Sequence, residues 1–322
     1  MTASVEGVRH RALAVCATLC CLAGCQAASK PSPSSTPTTK PAPAPASAVL
    51  DAACAETLVA STTGDIASDA ITELSGIVSS RRTSGVWWAN NDSGDRARLF
   101  AIGDDGRSLG EFELAGATAS DWEDIGIGPG PNDGVTYLYA ADIGDNAKAR
   151  ASVQVYRVPE PAVDPAQPVS APQTLRDVDV LTFNYPDRPH DAEAFFVDPI
   201  TGGLYIVAKE LGAAGVFRAR ANLATGSTTT LESVGTVAVG PLVTAADITA
   251  LGDAIGLRTY ASVAIYARTD NTNVAAALGG KPCKGKTAFE QQGEAIGFTS
   301  DGRGYVTASE GTHPSLHRFT AP

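Results

Sequence analysis

Asp191-Ala192-Glu193-Ala194-Phe195 combines a carboxylate with small and apolar residues of the kind that form a buried strand. The same design recurs in four other stretches, which read ELSGI at 73–77, DWEDI at 121–125, ADIT at 246–249 and GEAI at 293–296. They follow one another at steps of roughly 50 residues, with one longer interval after the second, and repeats of that length are typical of propellers and solenoids. The recurrence therefore predicts a repeat architecture organised around these five stretches.

Short runs rich in β-branched and aromatic residues alternate with Gly, Asp, Asn and Pro turns throughout the rest of the chain. The runs group into five units of four strands, but the fourth strand of unit four is poorly patterned and unit five lacks its last strand. ETLVAST at 56–62 has the pattern to supply that strand from the other end of the chain, and this pairing would close a ring. We therefore expect an all-β fold, a single five-bladed β-propeller over residues 50–322, with six blades as the alternative.

The N-terminal segment has the features of an export signal. Arg9 and Arg11 precede an apolar run at 12–24 that is too short to span a bilayer. Leu22-Ala23-Gly24-Cys25 resembles the lipobox of bacterial lipoproteins, which implies a signal peptide at 1–24 and acylation of Cys25, for example with palmitate. An ordinary signal peptide is the alternative. Residues 25–49 are rich in Pro, Ala, Ser and Thr, which predicts a disordered tether to the outer face of the cell membrane.

Composition limits the classes of partner and the redox state. The formal net charge of −11 argues against nucleic acid as a partner, because non-specific nucleic-acid binding needs a basic surface. After the signal region only Cys54 and Cys283 remain, and an even pair in an exported protein predicts a disulfide. Two free buried thiols are the alternative.

The first strand of each propeller blade lines the central axis, so the recurring polar residues should form a ring there. Carboxylates at such short separation repel one another unless they are protonated or neutralised by a cation. A set of oxygen ligands without His or Cys suits a structural Ca²⁺. The alternative is a series of buried polar groups that hydrogen-bond neighbouring blades. The predicted ring comprises Ser75, Glu123, Glu193, Asp247 and Glu294.

The turns at the same end of the blades are the next candidates for function. Lys209 and Arg258 are the basic side chains expected there, either to hold a phosphate or carboxylate or to neutralise neighbouring acids. Weak candidates for catalysis are Asp142, His190, Lys209 and Arg258. The predicted ligand-binding mouth comprises Asn91, Asp92, Trp122, Asp145, Glu210 and Glu310.

Several of these motifs together carry a family resemblance. ELSGI, WWANNDSGD, DWEDI, LYAADIGDN, HDAEAFF and QGEAIGF resemble a group of actinobacterial secreted propellers, over nearly all of residues 70–320. The chain is similar, more remotely, to the SdiA-regulated and phytase-esterase-like propellers and to the calcium-activated nucleotidases (apyrases). The apyrase resemblance implies an axial Ca²⁺ held by Ser75, Glu123, Glu193 and Glu294, with Asp247 where a Ser is usual. The apyrase nucleotide-binding residues have no counterpart here.

The sequence therefore supports three hypotheses. The first is a lipid-anchored, extracytoplasmic propeller that holds an axial calcium ion and binds a small molecule or protein partner at one mouth. The second is a calcium-dependent phosphohydrolase or esterase of the apyrase or phytase type. The third is a scaffold that uses its rim for protein contacts.

Overall fold

The computed structural model describes residues 47–269 and 273–322. They form five small sheets arranged in a ring, which is a five-bladed β-propeller. The five-blade prediction is confirmed, and the six-blade alternative is wrong. The expected signal peptide, Cys25 and most of the expected tether lie outside the described residues.

The described part of the chain starts with one helix and one strand, α1 (Ala48–Cys54) and β1 (Val59–Asp65). The first blade follows, with β2 (Leu74–Ser79), β3 (Val86–Asn91), β4 (Arg98–Gly103) and β5 (Ser108–Leu114). The second blade contains β6 (Trp122–Pro129), β7 (Thr136–Asp142), β8 (Val153–Pro159) and, after the short β9 (Gln173–Leu175), β10 (Asp179–Asn184).

The remaining blades have the same plan. The third contains β11 (Ala192–Val197), β12 (Leu204–Ala208), β13 (Ala214–Ala219) and, after the short β14 (Thr228–Thr230), β15 (Glu232–Val237). The fourth contains β16 (Val243–Ile248), β17 (Ala254–Thr259), β18 (Ser262–Ala267) and, after helix α2 (Val274–Leu278), β19 (Cys283–Lys284). The fifth contains β20 (Gly293–Phe298), β21 (Gly304–Ser309) and β22 (Ser315–Thr320). Among the described residues, no helix is long and apolar enough to cross a membrane.

The ring closes as the sequence predicts. Strand β1 pairs antiparallel with β22, from Val59 opposite Thr320 to Asp65 opposite Ser315, and so completes the fifth blade. Cys54 and Cys283 form a disulfide, which ties α1 to the fourth blade. The ordered domain starts earlier than expected, because Val49 is fully buried in the apolar cluster between the fourth and fifth blades.

Two short strands cover blade edges and were not predicted. Strand β9 pairs parallel with β5, and β14 pairs parallel with β10, so each is added to the outer edge of the preceding blade. The second unit is long because the chain forms β9 on the first blade before it returns to form β10. Both strands have three residues, too few for an alternating pattern. The poorly patterned end of the fourth unit contains α2 and the two-residue strand β19.

The innermost strands β2, β6, β11, β16 and β20 contact one another around the central axis. Nearly every residue in them is buried, because each strand packs between two neighbouring blades. One edge of each inner strand faces the axis and has no further strand to pair with. The N–H groups on that edge therefore need other acceptors, since buried backbone groups are nearly always paired.

Asp124 supplies acceptors for three of these N–H groups. Its Oδ1 accepts from Ile125 at 2.8 Å, within β6. Its Oδ2 accepts from Phe195 in β11 at 2.9 Å and from Ala246 in β16 at 3.0 Å. Since Asp124 is fully buried, one side chain joins the inner strands of three blades across the channel.

We expect Asp124→Ala to destabilise the propeller strongly. It leaves the N–H groups of Phe195 and Ala246 buried without acceptors, at about 1–3 kcal/mol each. Urea denaturation measures the loss in free energy of unfolding. The exposed turn residue Asp105 is the control, because Asp105→Ala removes a carboxylate that bonds only within its own turn. Equal stability of the two variants would contradict the assigned role of Asp124.

Candidate metal centre at the channel mouth

Each inner strand has a β-bulge near its start, and a polar residue lies at the bulge in every blade. The pairing with the second strand is interrupted at Glu123 in β6, at Glu193 in β11 and at Glu294 in β20. In β2 the interruption spans Ser75 and Gly76. A bulge redirects the side chain of the extra residue. Four of the five predicted ring residues therefore occupy structurally equivalent positions at one end of the channel.

Asp247 does not share that position, and its expected place in the ring is corrected. The bulge in β16 falls at Thr244, whose Oγ1 donates to the carbonyl of Gly293 at 2.9 Å. Asp247 lies further along the strand and accepts from the N–H groups of Ile248 at 2.8 Å and Phe298 at 2.7 Å. It joins the fourth and fifth blades inside the channel, which is the inter-blade role considered as the alternative to metal binding.

Two carboxylates from neighbouring segments join the ring. Asp92 follows β3 and Asp121 precedes β6, and each offers an oxygen that lies within 4.8 Å of the others and of a Glu123 oxygen. Gly144 lies against this group. A Cβ atom at Gly144 would stand 2.2 Å from Glu123 Oε1 and 2.5 Å from an oxygen of Asp121. The missing side chain therefore leaves the space in which these carboxylates converge.

Glu193 contributes an oxygen that is available to a ligand. Its Oε1 accepts a hydrogen bond from Lys209, which also donates to the hydroxyl of Tyr260 at 2.8 Å. The residue is only 4% exposed, and its Oε2 is buried with no hydrogen-bond partner among the described residues. An unsatisfied buried oxygen costs free energy, so a bound cation here would remove a penalty.

The acidic surface continues toward the fifth and first blades. Tyr260 lies near Glu294, and Glu73 lies near Glu310. The Gln292 amide also donates to Glu310. We call the group of six carboxylates at this end of the channel the mouth cluster: Asp92, Asp121, Glu123, Glu193, Glu294 and Glu310.

Burial and mutual repulsion raise the pKa values of the mouth cluster. Burial is the largest cause and the charge of Asp92 the second largest, and they raise the pKa of Asp121 to about 6. Burial raises the pKa of Glu294 to about 7, and the charge of Asp92 adds to the effect. For Glu310, burial and the interaction with Glu73 raise the pKa to about 8. A cation bound among these groups would lower their pKa values again and release protons.

Glu123 and Glu193 show the same effect more deeply in the channel. Burial, followed by the charges of Asp92 and Glu193, raises the pKa of Glu123 well above its usual range. Burial raises the pKa of Glu193 to about 8, although the Lys209 ammonium acts in the opposite direction. For Lys209, burial works toward a lower pKa, but the Glu193 carboxylate outweighs it and raises the pKa above its ordinary value.

At the other end of the channel one arginine lies beside two acidic groups. The guanidinium of Arg81 donates to the carbonyl of Ile248 at 3.5 Å and lies in the field of Asp247 and Glu160. Burial raises the pKa of Asp247 to about 6, and the charge of Arg81 opposes that rise. The converging carboxylates therefore favour a cation at the mouth cluster, whereas Arg81 already neutralises acidic groups at the other end.

The predicted ligand-binding residues divide into two groups. Trp122, Asn91 and Asp145 are buried. The indole N–H of Trp122 donates to Thr118, Asn91 accepts from the N–H groups of the segment before β2, and Asp145 accepts from those of its own turn. They hold loops in place. The predicted residues that stay partly exposed at the mouth are Asp92, Glu210 and Glu310.

The catalytic candidates Asp142 and His190 are held by structural contacts. Asp142 is fully buried and accepts from two backbone N–H groups, and Arg150 donates to it at 2.7 Å. His190 is 4% exposed, packs against Tyr185, and places Nε2 3.1 Å from an Asp187 oxygen. All contacts of Asp142 are thus structural, whereas the buried Nδ1 of His190, 3.4 Å from a Glu210 oxygen, has no hydrogen-bond partner among the described residues.

The basic candidates are paired with acids. Arg258 is fully buried, forms an ion pair with Glu290 and donates to the carbonyl of Ala295 at 3.1 Å. Lys209 pairs with Glu193. These contacts match the interpretation in which both basic side chains neutralise neighbouring acids.

Asp121, Gly144 and Tyr260 were missed as candidate site residues. Asp121 stands two residues before Glu123 in the DWEDI stretch, and this position is the sequence signal that identifies it. Gly144 lies in the acidic turn after β7, where glycine is also a default turn residue, so its type alone does not mark a site. Tyr260 follows β17 and has no sequence signal beyond its proximity to Arg258.

A scan against protein-family models and a search of curated proteins return no match to this chain.

We expect the metal-free protein to lose stability as pH rises from about 5 to about 8. The folded-state pKa values of Asp121, Glu294 and Glu310 lie above the unfolded value of about 4. Between those limits the folded chain holds protons that the unfolded chain has released, so rising pH favours unfolding. Urea titrations in a chelator measure the trend.

Two variants test the origin of this pH dependence. Glu294→Gln removes one of the titrating groups and should flatten the decline between about pH 6 and about pH 8. Glu232→Gln should leave it unchanged, because Glu232 lies in an exposed ion pair whose arginine partners lower its pKa to about 2. A stability that rises with pH in chelator would refute the assignment.

Proposed function

We propose that this protein is an exported, lipid-anchored β-propeller that binds Ca²⁺ at the mouth of its central channel and a ligand or protein partner over that mouth. The observation that carries the metal proposal is the convergence of Asp92, Asp121 and Glu123 beside the buried, unpartnered oxygen of Glu193. Lys209 is the one lysine in contact with these carboxylates among the described residues.

The donor set favours calcium over other metals. The mouth cluster offers only carboxylate oxygens, and neither His nor Cys belongs to the convergent group of described residues. Hard oxygen donors of varied geometry suit Ca²⁺, which accepts six to eight of them, whereas Zn²⁺ and Cu²⁺ favour nitrogen and sulfur. The ligands we assign are Asp92, Asp121, Glu123 and Glu193, with Ser75 and Glu294 completing the ring. The resemblance to apyrases supports the same position for a calcium ion.

Binding suits the geometry better than turnover does. Asp142, His190 and Arg258 are buried in structural contacts, and Lys209 is held by Glu193 and Tyr260. The partly exposed residues around the mouth are mainly acidic, so an anionic substrate such as a phosphate ester would meet repulsion unless Ca²⁺ bridged it. We therefore place the ligand over the metal, in contact with Asp92, Glu210 and Glu310.

The proposed location follows from the N-terminal sequence. The Leu22–Cys25 motif supports cleavage before Cys25 and its acylation, and the Pro-rich residues after it support a tether. The Cys54–Cys283 disulfide suits an oxidising, extracytoplasmic compartment.

Calcium should bind the purified protein and stabilise it. At a hundredfold excess over Kd, the gain is about 2.7 kcal/mol. For a domain of this size that corresponds to a rise in Tm of about 5–10 °C. Metal analysis and thermal melts with and without chelator measure both effects. Absence of bound metal together with an unchanged Tm would refute the proposed site.

A matched pair of glycine variants locates the site without removing any charge. Gly144→Ala places a methyl group between Asp121 and Glu123, and we expect Ca²⁺ affinity to fall about tenfold or more, a change of about 1.4 kcal/mol. Gly212→Ala is the control, because no atom lies within 4 Å of its added Cβ. Calorimetric titration compares the two variants. Equal affinities would place the metal elsewhere.

Turnover distinguishes the binding proposal from the hydrolase hypothesis. We expect no hydrolysis of nucleotides, phytate or p-nitrophenyl esters, with or without Ca²⁺, because the catalytic candidates are engaged in structural contacts. Product release in colorimetric assays is the measurement. A calcium-dependent activity that Lys209→Ala abolishes would replace the binding proposal with a hydrolase.

A further inference from the structure

Positive charge is concentrated in one exposed segment of an acidic protein. Lys281, Lys284 and Lys286 fall within six residues and are exposed, although the whole chain has a net charge of −11. Lys286 donates to the carbonyl of Leu58. No carboxylate of the described residues forms an ion pair with any of the three, and Glu56 is the acid that lines the same groove. The segment therefore presents uncompensated positive charge to solvent.

An apolar side chain projects beside these lysines. Phe289 is 98% exposed, the highest exposure among the large exposed hydrophobic side chains of the described residues. The adjoining groove, of about 370 Å³, includes Leu58, Ala60 and Phe319 among its lining residues. An exposed aromatic beside lysines and an apolar groove is the combination that amphipathic surfaces use at the boundary between lipid headgroups and acyl chains.

The same segment lies close to the place where the described domain begins. The Cys54–Cys283 disulfide joins it to α1, which starts at Ala48. Ser47, the residue before α1, is also held against the domain, since its hydroxyl donates to Asp253 at 2.6 Å. The described chain therefore enters the domain through α1, which the disulfide holds against the basic segment.

We propose that residues 281–289 form a second membrane contact, in which the lysines bind anionic phospholipid headgroups and Phe289 inserts at the headgroup boundary. This inference rests on the lipid anchoring proposed above. Charge complementarity supports it: an anionic surface repels most of this acidic protein and attracts the basic segment, so the contact also orients the propeller. The competing occupant, a second copy of the chain, is an outcome of the experiment below.

Two tryptophan variants test the contact in the acylated full chain. Phe289→Trp and Leu211→Trp each replace an exposed large apolar residue, at 98% and 82% exposure, and Leu211 belongs to the loop that follows Lys209. The three native tryptophans are buried and provide a constant background. In vesicles of phosphatidylcholine and phosphatidylglycerol with brominated acyl chains, we expect Phe289→Trp emission to shift to the blue and fall about twofold, since an interfacial side chain lies only ~5–10 Å deep. Leu211→Trp should not respond.

The charge contribution is tested in the same background. Adding Lys281→Gln and Lys284→Gln to Phe289→Trp should abolish most of the quenching, because each lysine near an anionic surface changes partitioning roughly fivefold. Raising the salt concentration should have the same effect. Quenching that survives both changes would overturn the electrostatic contact.

The remaining outcomes separate the contact from the anchor. An acylated chain that sediments with vesicles but leaves Phe289→Trp unquenched would refute the contact alone. A mature chain whose mass shows no acyl group on Cys25 would refute the anchor, and quenching of Phe289→Trp on that chain would still report the contact. A blue shift of Phe289→Trp without vesicles, together with dimers in analytical ultracentrifugation, would assign the surface to self-association and overturn the membrane contact.

Discussion

The backbone N–H groups that face the central channel impose the constraint on which this propeller depends. Every inner strand has one edge without a partner strand, and water alone does not satisfy it at full burial. Asp124 accepts from three strands at the centre, and Asp247 connects the fourth blade to the fifth. Acidic side chains in the channel are therefore a structural requirement of the ring, before any ligand is considered.

That requirement creates the electrostatic problem at the mouth. Asp124, which bonds the inner strands, follows directly after Glu123 of the mouth cluster. Burial raises the pKa values of both carboxyl groups. The protein compensates with Lys209 at one end of the channel and Arg81 at the other. Compensation is incomplete, because an oxygen of Glu193 has no partner among the described residues. A divalent cation at the mouth would both reduce the repulsion between the carboxylates and give this oxygen a partner.

The sequence predicts the ring well where a residue type and a spacing recur together. Glu123, Glu193 and Glu294 share one bulge position, and the short strands around them have clear patterns. The prediction for Asp247 was wrong because the sequence does not show which residue of an apolar strand lies at the bulge. The register of β16 and β17 shows that Thr244, and not Asp247, occupies the bulge position in the fourth blade.

The features that the sequence does not predict depend on distant contacts. Asp121 and Gly144 meet at the mouth only because β6 and β7 pair, and β9 and β14 are too short to carry a pattern of their own. Whether Lys209 and Arg258 bind an anion or pair with acids is likewise decided by the geometry of Glu193 and Glu290, which lie on other segments of the chain.

Closure of the fifth blade by β1 has a consequence for the order of folding. Strand β1 lies near the start of the described chain and its partner β22 at the end, with four blades between them in sequence. Contacts so distant in sequence carry a high loop-closure cost and form late. We therefore expect the ring to close late in folding, when β1 and β22 join in one sheet.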